Sequence, residues 1–285
     1  MRSLVVALLV LVCGCATLGG VDDGTSLAGG RQSAGWLVRA ARLPERGDGY
    51  LIPRTWAQRG LAFGTDELVA LVVHAARRVA VEASGSLLYV ADISPRRGGP
   101  TMWHRTHQNG RDVDLLFFAL DEQGRPASAP DEMFPFDSNG RGMPLGRNQG
   151  VLTFDTARNW VLVKALLTAP GVDIQYLFIS EGLKQLLLTH ATALGEPLEL
   201  IEKADEILHQ PEDSAPHDDH LHMRIHCPVG DRAIGCYEQG PMRWLKKGYK
   251  YPIVRLIEDA LWAPIRQFAM RPFCRFLART VIASR

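Results

Sequence analysis

The sequence lacks an excess of charge of either sign, because 32 Lys and Arg residues stand against 31 Asp and Glu residues and leave a formal net charge of +1. This balance gives no indication of a nucleic-acid partner. Long apolar runs are also missing, since the run from Leu4 to Val12 is too short to remain as a membrane span. What remains is the ordinary composition of a globular protein, with room for one large domain or two small ones.

The first 15 residues are typical of a signal peptide for export. Arg2 precedes the apolar run, which ends in Val12-Cys13-Gly14-Cys15 and there resembles a bacterial lipobox with Cys15 as the lipidated residue. Simple cleavage and release is the alternative. Either route leads out of the cytoplasmic membrane, so we expect a periplasmic protein. Lipidation of Cys15 would anchor it in the outer membrane.

A flexible tether followed by one folded domain is the predicted organisation. Residues 16–49 are rich in Gly, Ser, Asp and Arg without a sustained apolar period, which is typical of a tether. Residues 50–240 contain the periodic segments of a folded domain. The predicted helices cover 65–82, 155–167, 180–193 and 198–208, and the predicted strands cover 87–93, 112–120, 174–179 and 220–225. This order predicts an α+β domain in which helices cover one face of a small, mostly antiparallel sheet.

Two short motifs about a hundred residues apart contain five of the nine His residues. The first reads HRTHQNGRDVD and begins at His104, and the second reads HDDHLHMR and begins at His217. In each motif polar residues alternate with apolar ones, which is the pattern of a strand with one buried face. His220 and His222 therefore share a strand face, and so do Asp112 and Asp114.

A divalent metal site is the chemistry that these residue types favour. Gly110 lies between His107 and Asp114, where a bend can fold the imidazole back over the start of the strand. Two imidazoles and a carboxylate on one wall are suitable ligands for zinc. The alternative is a polar sheet face that is merely solvated.

The spacing HxxxxxxD followed by HxH resembles that of the LAS metallopeptidases, and the two full motifs resemble the penicillin-insensitive murein endopeptidases among them. The resemblance extends over roughly residues 50–240. It implies the LAS-type fold with its zinc site on the open face of the sheet. It also implies one Zn2+ per chain, with three protein ligands: His107, Asp114 and His222.

Three further His residues are candidates for catalysis. A water activated by the metal needs a base, and neither motif contains a Glu, so we predict that His220 takes the proton. His217 is expected to assist, either by orienting His220 or by passing a proton to the leaving amine. His104 precedes the ligand His107 by three residues and is expected to stabilise the oxyanion.

Nearby charged residues have two interpretations each. Asp112 either orients a ligand imidazole or is a structural carboxylate. Arg224 either binds a substrate carboxylate or forms a salt bridge on the sheet face. Asp218 and Asp219 either hold His217 or form a polar turn.

The resemblance implies that the substrate is peptidoglycan, cut at the peptide cross-link between D-alanine and meso-diaminopimelate. Two alternatives remain open. One is a D,D- or L,D-carboxypeptidase that trims stem peptides, and the other is a zinc-bearing wall-binding domain without turnover. The SxxK motif of serine enzymes that β-lactams acylate does not occur in the sequence.

Two features lie outside the motifs. A disulfide between Cys227 and Cys236 is expected from their closeness, although pairing of either with Cys274 is an alternative. Residues 241–285 form a basic tail with ten Lys or Arg against two acidic residues, and its apolar residues have helical spacing. Such a tail either lies on an anionic surface or packs back on the domain.

Overall fold

A computed structural model describes residues 26–127, 132–142, 150–212, 214–238, 240, 243 and 244. The predicted signal peptide, the lipobox and nearly all of the basic tail lie outside these residues. The helices of the described residues are α1 (Arg54–Ala57), α2 (Asp66–Glu82), α3 (Thr156–Thr168), α4 (Glu181–Ala193), α5 (Leu198–Ile207) and a 3-10 turn at Asp231–Ile234. The strands are β1 (Leu27–Arg31), β2 (Ala34–Val38), β3 (Ala41–Arg42), β4 (Arg46–Gly47), β5 (Tyr50–Leu51), β6 (Phe63–Gly64), β7 (Leu88–Tyr89), β8 (Asp112–Leu116), β9 (Ala119–Leu120), β10 (Arg141–Gly142), β11 (Leu152–Phe154), β12 (Ile174–Phe178), β13 (Leu208–His209) and β14 (His220–Ile225).

The two motifs meet in a four-stranded sheet of order β13-β12-β14-β8. Only the β12–β13 pair is parallel, and both neighbours of β14 run antiparallel to it. In the β14–β8 register His222 lies opposite Asp114 and Arg224 lies opposite Asp112. The predicted α+β class and the mostly antiparallel sheet are therefore confirmed.

Helix starts agree with the predicted capping residues. Thr65 accepts a hydrogen bond from Leu68 N at the start of α2, and Asp155 accepts one from Arg158 N at the start of α3. The apolar faces of the helices form one hydrophobic core with the alternate residues of the strands. Members from both include Leu71, Val72, Leu162, Leu166, Val113, Leu115, Leu221 and Met223. The polar residues of β8 and β14 consequently point to the other side of the sheet.

The predicted tether is wrong for residues 26–49, which carry β1 to β4. Leu27, Leu37 and Leu43 are buried there. Main-chain hydrogen bonds join Gly30 N to Gly235 O and Tyr237 N to Gly30 O, each at 3.0 Å. Main-chain hydrogen bonds to distant segments therefore hold this region in place. Because such hydrogen bonds do not depend on side-chain type, the sequence shows no apolar periodicity from which these strands could be predicted.

The predicted disulfide between Cys227 and Cys236 is present, with a sequence separation of 9. Cys274 lies outside the described residues. Both bonded cysteines are buried in a small cluster with Ala28 and Leu37 of the β1–β2 hairpin. The disulfide thus ties the chain that follows β14 to the hairpin at the start of the described chain.

No helix in the described part of the chain combines the length and the apolar character needed to cross a membrane.

Candidate metal centre

Three side-chain atoms from the two motifs converge beside the sheet. Asp114 Oδ1 lies 3.2 Å from His222 Nδ1 and 3.3 Å from His107 Nε2. The two imidazole nitrogens are 3.4 Å apart. Ligand atoms at the usual zinc distances, on the corners of a tetrahedron, are separated by roughly 3.3 Å. The three atoms therefore have the spacing that one tetrahedral ion requires.

In the neutral form of each ring, the hydrogen bonds around the two imidazoles would leave the inner nitrogen without a proton. His107 Nδ1 lies 2.6 Å from the carbonyl of Ile93, which only accepts, so Nδ1 carries the proton. His222 Nε2 donates in the same way to Asp112 Oδ1 at 2.8 Å. In the neutral rings His107 Nε2 and His222 Nδ1 then face each other as two acceptors. Such an arrangement is favourable only when a cation lies between them.

Asp114 supplies a buried carboxylate without ordinary partners. Its side chain is fully buried, and neither oxygen accepts a hydrogen bond within the described residues. Burial would raise the pKa of Asp114, but the imidazoles of His107 and His220 outweigh burial and hold this pKa well below its usual range. The carboxylate is thus ionised and positioned to bind a cation.

The loop before β8 places His107 through an uncommon backbone conformation. His107 has φ 65° and Gly110 has φ 72°, both in the left-handed region. A Cβ on Gly110 would come within 2.7 Å of Leu37 Cδ2, so the close approach also requires glycine. The predicted bend at Gly110 is confirmed, and it turns His107 back over the start of β8.

Asp112 contacts His222 and Arg224 at once. Its Oδ1 also accepts a hydrogen bond from Arg224 Nε at 2.6 Å. Burial would raise the pKa of Asp112, but Arg224 and His222 hold it below its usual range. The structure thus supports the interpretation that Asp112 orients a ligand imidazole. It also supports the interpretation that Arg224 forms a salt bridge on the sheet face.

His220 is oriented by Asp219, a pairing that the sequence did not predict. His220 Nδ1 lies 2.6 Å from Asp219 Oδ1, and His220 Nε2 lies 3.3 Å from Asp114 Oδ1. Burial would lower the pKa of His220, but Asp114 and Asp219 outweigh it and raise the pKa to about 10 in the metal-free protein. His217, Asp218, Asp219 and His220 are consecutive in one turn. The sequence spacing therefore could not show which Asp pairs with which His.

His217 lies beside these residues in a left-handed conformation with φ 55°. Its Nδ1 donates to the carbonyl of Ala215 at 2.8 Å, and its ring centroid lies 5.1 Å from that of His220. Burial, together with the neighbouring His222 and His220, lowers the pKa of His217 to about 4. His217 is therefore neutral near pH 7 in the metal-free protein.

His104 has a buried partner, Asp92, that sequence reasoning missed. His104 Nε2 lies 2.8 Å from Asp92 Oδ2, and Arg59 Nη1 lies 2.7 Å from the same oxygen. His104 Nδ1 points toward the centre, 3.8 Å from Asp114 Oδ2. Asp92 lies in an apolar strand-like stretch with no motif around it, so no local pattern connected it with His104.

The six predicted site residues form two groups, each suited in atom spacing to hold a metal ion. One is His104, His107 and Asp114, and the other is His217, His220 and His222. Both groups border a cleft of about 740 Å³. His104, His217, His220, His222 and Arg224 line this cleft directly, as do Gln32 and Ser33 of the β1–β2 turn. The centre can therefore be reached from this cleft.

Residues 121–150, a long segment rich in turn-forming residues, do not line the cleft in their described part. Phe136 instead packs into the core beside Phe117 and Phe154. Its main-chain nitrogen donates to Asp218 O at 2.9 Å. The segment thus supports the turn that carries His217 and Asp219.

The fold and the site define an α+β domain with a buried His and Asp centre, suited to a divalent cation, at an open cleft. The chain belongs to the penicillin-insensitive murein endopeptidase family, whose model matches residues 28–248. It is 26% identical over 253 residues to the penicillin-insensitive murein endopeptidase of Klebsiella pneumoniae subsp. pneumoniae, covering 85% of this chain and 83% of that one. It is 25% identical over 250 residues to the enzyme of the same name from Escherichia coli O6:K15:H31, covering 84% and 82%.

Proposed function

We propose that this protein is a zinc-dependent endopeptidase that hydrolyses the D-alanyl–meso-diaminopimelate cross-links of peptidoglycan. The observation that carries the proposal is the set of three donor atoms spaced 3.2 to 3.4 Å apart. Two are imidazole nitrogens with inward lone pairs and the third is a buried carboxylate oxygen. Membership of the murein endopeptidase family supplies the substrate class.

One Zn2+ per chain would be held by His107 Nε2, His222 Nδ1 and Asp114 Oδ1. Three protein ligands leave one tetrahedral position for water or substrate, which is the usual arrangement of a catalytic rather than a structural zinc site. When bound, the ion would supply a water of lowered pKa and polarise the scissile carbonyl. Asp112 and the carbonyl of Ile93 keep the two ligand rings in the tautomers that bind metal.

The remaining His residues would carry out proton transfer and charge stabilisation. Asp114 is the main cause of the raised pKa of His220 in the metal-free protein, so binding of Asp114 to the cation would lower that pKa. His220 would then take the proton of the attacking water at Nε2, while Asp219 holds its Nδ1. His217 is neutral and close enough to assist His220 or to serve the leaving amine. His104 in its charged form donates one N–H to Asp92 and directs the other toward the oxyanion.

The same proposal covers the parts of the chain outside the described residues. Residues 1–15 act as a signal peptide with a lipobox that is cleaved before Cys15, and Cys15 carries a lipid that anchors the enzyme to the periplasmic face of the outer membrane. We also assign the domain to the LAS-type fold, since its antiparallel sheet presents the His and Asp side chains on the face away from the helices.

Digestion of purified sacculi tests this function. We expect the wild-type protein to convert cross-linked muropeptide dimers to monomers, to lose this activity with a chelator and to regain it with zinc. Penicillin should leave the rate unchanged, and His220→Ala should lower it about 100-fold or more. His190→Ala, which removes an imidazole from α4 outside the cleft, is the matched control.

Three other results would each contradict the proposal in a distinct way. Release of terminal D-alanine from monomers, without loss of dimers, would indicate a carboxypeptidase. Bound zinc without cleavage of either substrate would indicate a wall-binding domain. Undiminished cleavage by the metal-free protein would exclude the zinc-dependent mechanism.

A further inference from the structure

A fully buried carboxylate, Asp92, lies next to the proposed metal centre and supplies no ligand to it. Its main chain runs along the outer edge of β8. Ala91 N donates to Asp114 O at 2.8 Å, and Asp114 N donates to Asp92 O at 3.0 Å. Two main-chain hydrogen bonds therefore fix the position of Asp92 relative to Asp114, the proposed ligand.

One oxygen of Asp92 holds two side chains that enter from different loops. Asp92 Oδ2 accepts from Arg59 Nη1 at 2.7 Å and from His104 Nε2 at 2.8 Å. The guanidinium of Arg59 also lies 4.1 Å from the ring centroid of Trp103, which lines the cleft. Hydrogen bonds to a charged partner in a buried site are stronger than neutral ones, so this arrangement fixes both side chains.

The contact with Asp92 determines which nitrogen of His104 faces the centre. With Nε2 bound to Asp92, Nδ1 is directed to Asp114 Oδ2 at 3.8 Å, and the ring lies 4.1 Å from the His107 ring between centroids. The chain around His104 is otherwise exposed, since Met102 and Trp103 are 86% and 51% exposed. Without Asp92 little in its own loop would keep the His104 ring turned toward the centre.

We propose that Asp92, supported by Arg59, is a positioning residue that holds His104 with its Nδ1 toward the reacting centre. The inference rests on the proposed function, because it concerns the orientation of a side chain assigned to oxyanion stabilisation. A purely structural salt bridge between Asp92 and Arg59 is the competing explanation. The two explanations differ in whether loss of Asp92 acts through His104.

A double-mutant cycle in the zinc-loaded enzyme separates them. We expect Asp92→Ala to lower kcat on muropeptide dimers by about 10- to 100-fold, with little change in KM. In a His104→Ala background the same substitution should lower kcat no further. Asp92→Asn keeps an acceptor oxygen and should restore part of kcat. An equal loss of kcat in both backgrounds would overturn the proposal.

A measurement on the metal-free protein and a control variant keep the test independent of the proposed function and of general effects on folding. Proton–nitrogen correlation spectra of the metal-free protein should show the His104 Nε2–H proton in a strong hydrogen bond to Asp92, and Asp92→Ala should abolish that signal. An unchanged His104 Nε2–H signal in Asp92→Ala would refute the positioning role even if sacculi are not a substrate. Asp48→Ala, which removes an exposed Asp–Arg pair with Arg77, is the matched control and should leave kcat unchanged.

Discussion

His222 and Asp112 are joined by a 2.8 Å hydrogen bond, although they do not lie opposite each other in the sheet. The register pairs His222 with Asp114 and Arg224 with Asp112. Asp112 therefore reaches diagonally along the sheet to the ring of His222. The same oxygen accepts from Arg224, so one carboxylate both orients a proposed ligand and neutralises a buried cation.

Replacing this carboxylate with an amide tests its orienting role. We expect Asp112→Asn to weaken zinc binding about 10- to 100-fold, because His222 loses a charged partner for Nε2–H. Competition titration with a chromophoric chelator measures the affinity. Asp219→Asn is a useful contrast, because it should lower kcat through His220 and leave zinc affinity nearly unchanged. Equal zinc affinity of wild-type and Asp112→Asn proteins would contradict the assignment.

The buried carboxylate of Asp114 should be required for metal binding. We expect the purified wild-type protein to contain about one zinc per chain and Asp114→Asn to contain much less, since the neutral amide is a poor zinc ligand. Elemental analysis by mass spectrometry gives the stoichiometry, and His190→Ala should match the wild type. A full zinc content in Asp114→Asn would remove Asp114 from the ligand set.

The bend before β8 should be sensitive to any side chain. Gly110→Ala places a Cβ against Leu37 and the backbone of Gly64, in addition to the strain of its φ of 72°. We expect a loss of stability of about 2–3 kcal/mol and weaker zinc binding, because His107 precedes the bend. Gly124 has the same φ but open space around it, so Gly124→Ala should lose only about 1 kcal/mol. Thermal unfolding with and without zinc compares the two variants.

Glu67 should make stability depend on pH. It is the second residue of α2, and burial, with added repulsion from Asp231 and Asp66, raises its pKa from 4.5 to about 8. In the unfolded chain Glu67 loses its proton first, so the free energy of unfolding falls as the pH rises from about 4.5 to about 8. Neither oxygen of Glu67 has a hydrogen-bond partner among the described residues, so its charge is poorly compensated above that range.

Substitution by glutamine removes this dependence. We expect Glu67→Gln to raise the melting temperature by at least roughly 2–4 °C at about pH 8, with a smaller gain at about pH 5. Glu199→Gln is the matched control, because Glu199 is the exposed second residue of α5. A gain in Glu67→Gln that is the same at both pH values would contradict the raised pKa.

The sequence predicted the elements whose signals are local. Thr65 and Asp155 cap α2 and α3 as expected, and the alternation in β14 correctly placed His222 on the polar face. Periodicity and capping depend on neighbours within one or two turns, so a single sequence contains them. The meeting of His107, Asp114 and His222 followed from the motif resemblance and could not be derived from spacing alone.

The contacts that the sequence did not reveal are all made between distant segments. Asp92 and the carbonyl of Ile93 reach the centre because the chain after β7 runs along β8. A main-chain carbonyl has no residue-type signal, and a lone Asp in an apolar stretch has no pattern to connect it with His104. The supporting groups of a site are therefore less predictable than the residues that carry its motif.

The β1–β2 hairpin has a practical consequence for protein engineering. Expression of residues 50–240 alone, which the motif pattern suggests as a minimal enzyme, would remove Gln32 and Ser33 from one side of the cleft. It would also leave Asp231 without the main-chain donor of Ala28 and expose the apolar side of the disulfide. A shortened version intended for crystallography or for use as a lytic reagent should therefore begin before Ser26.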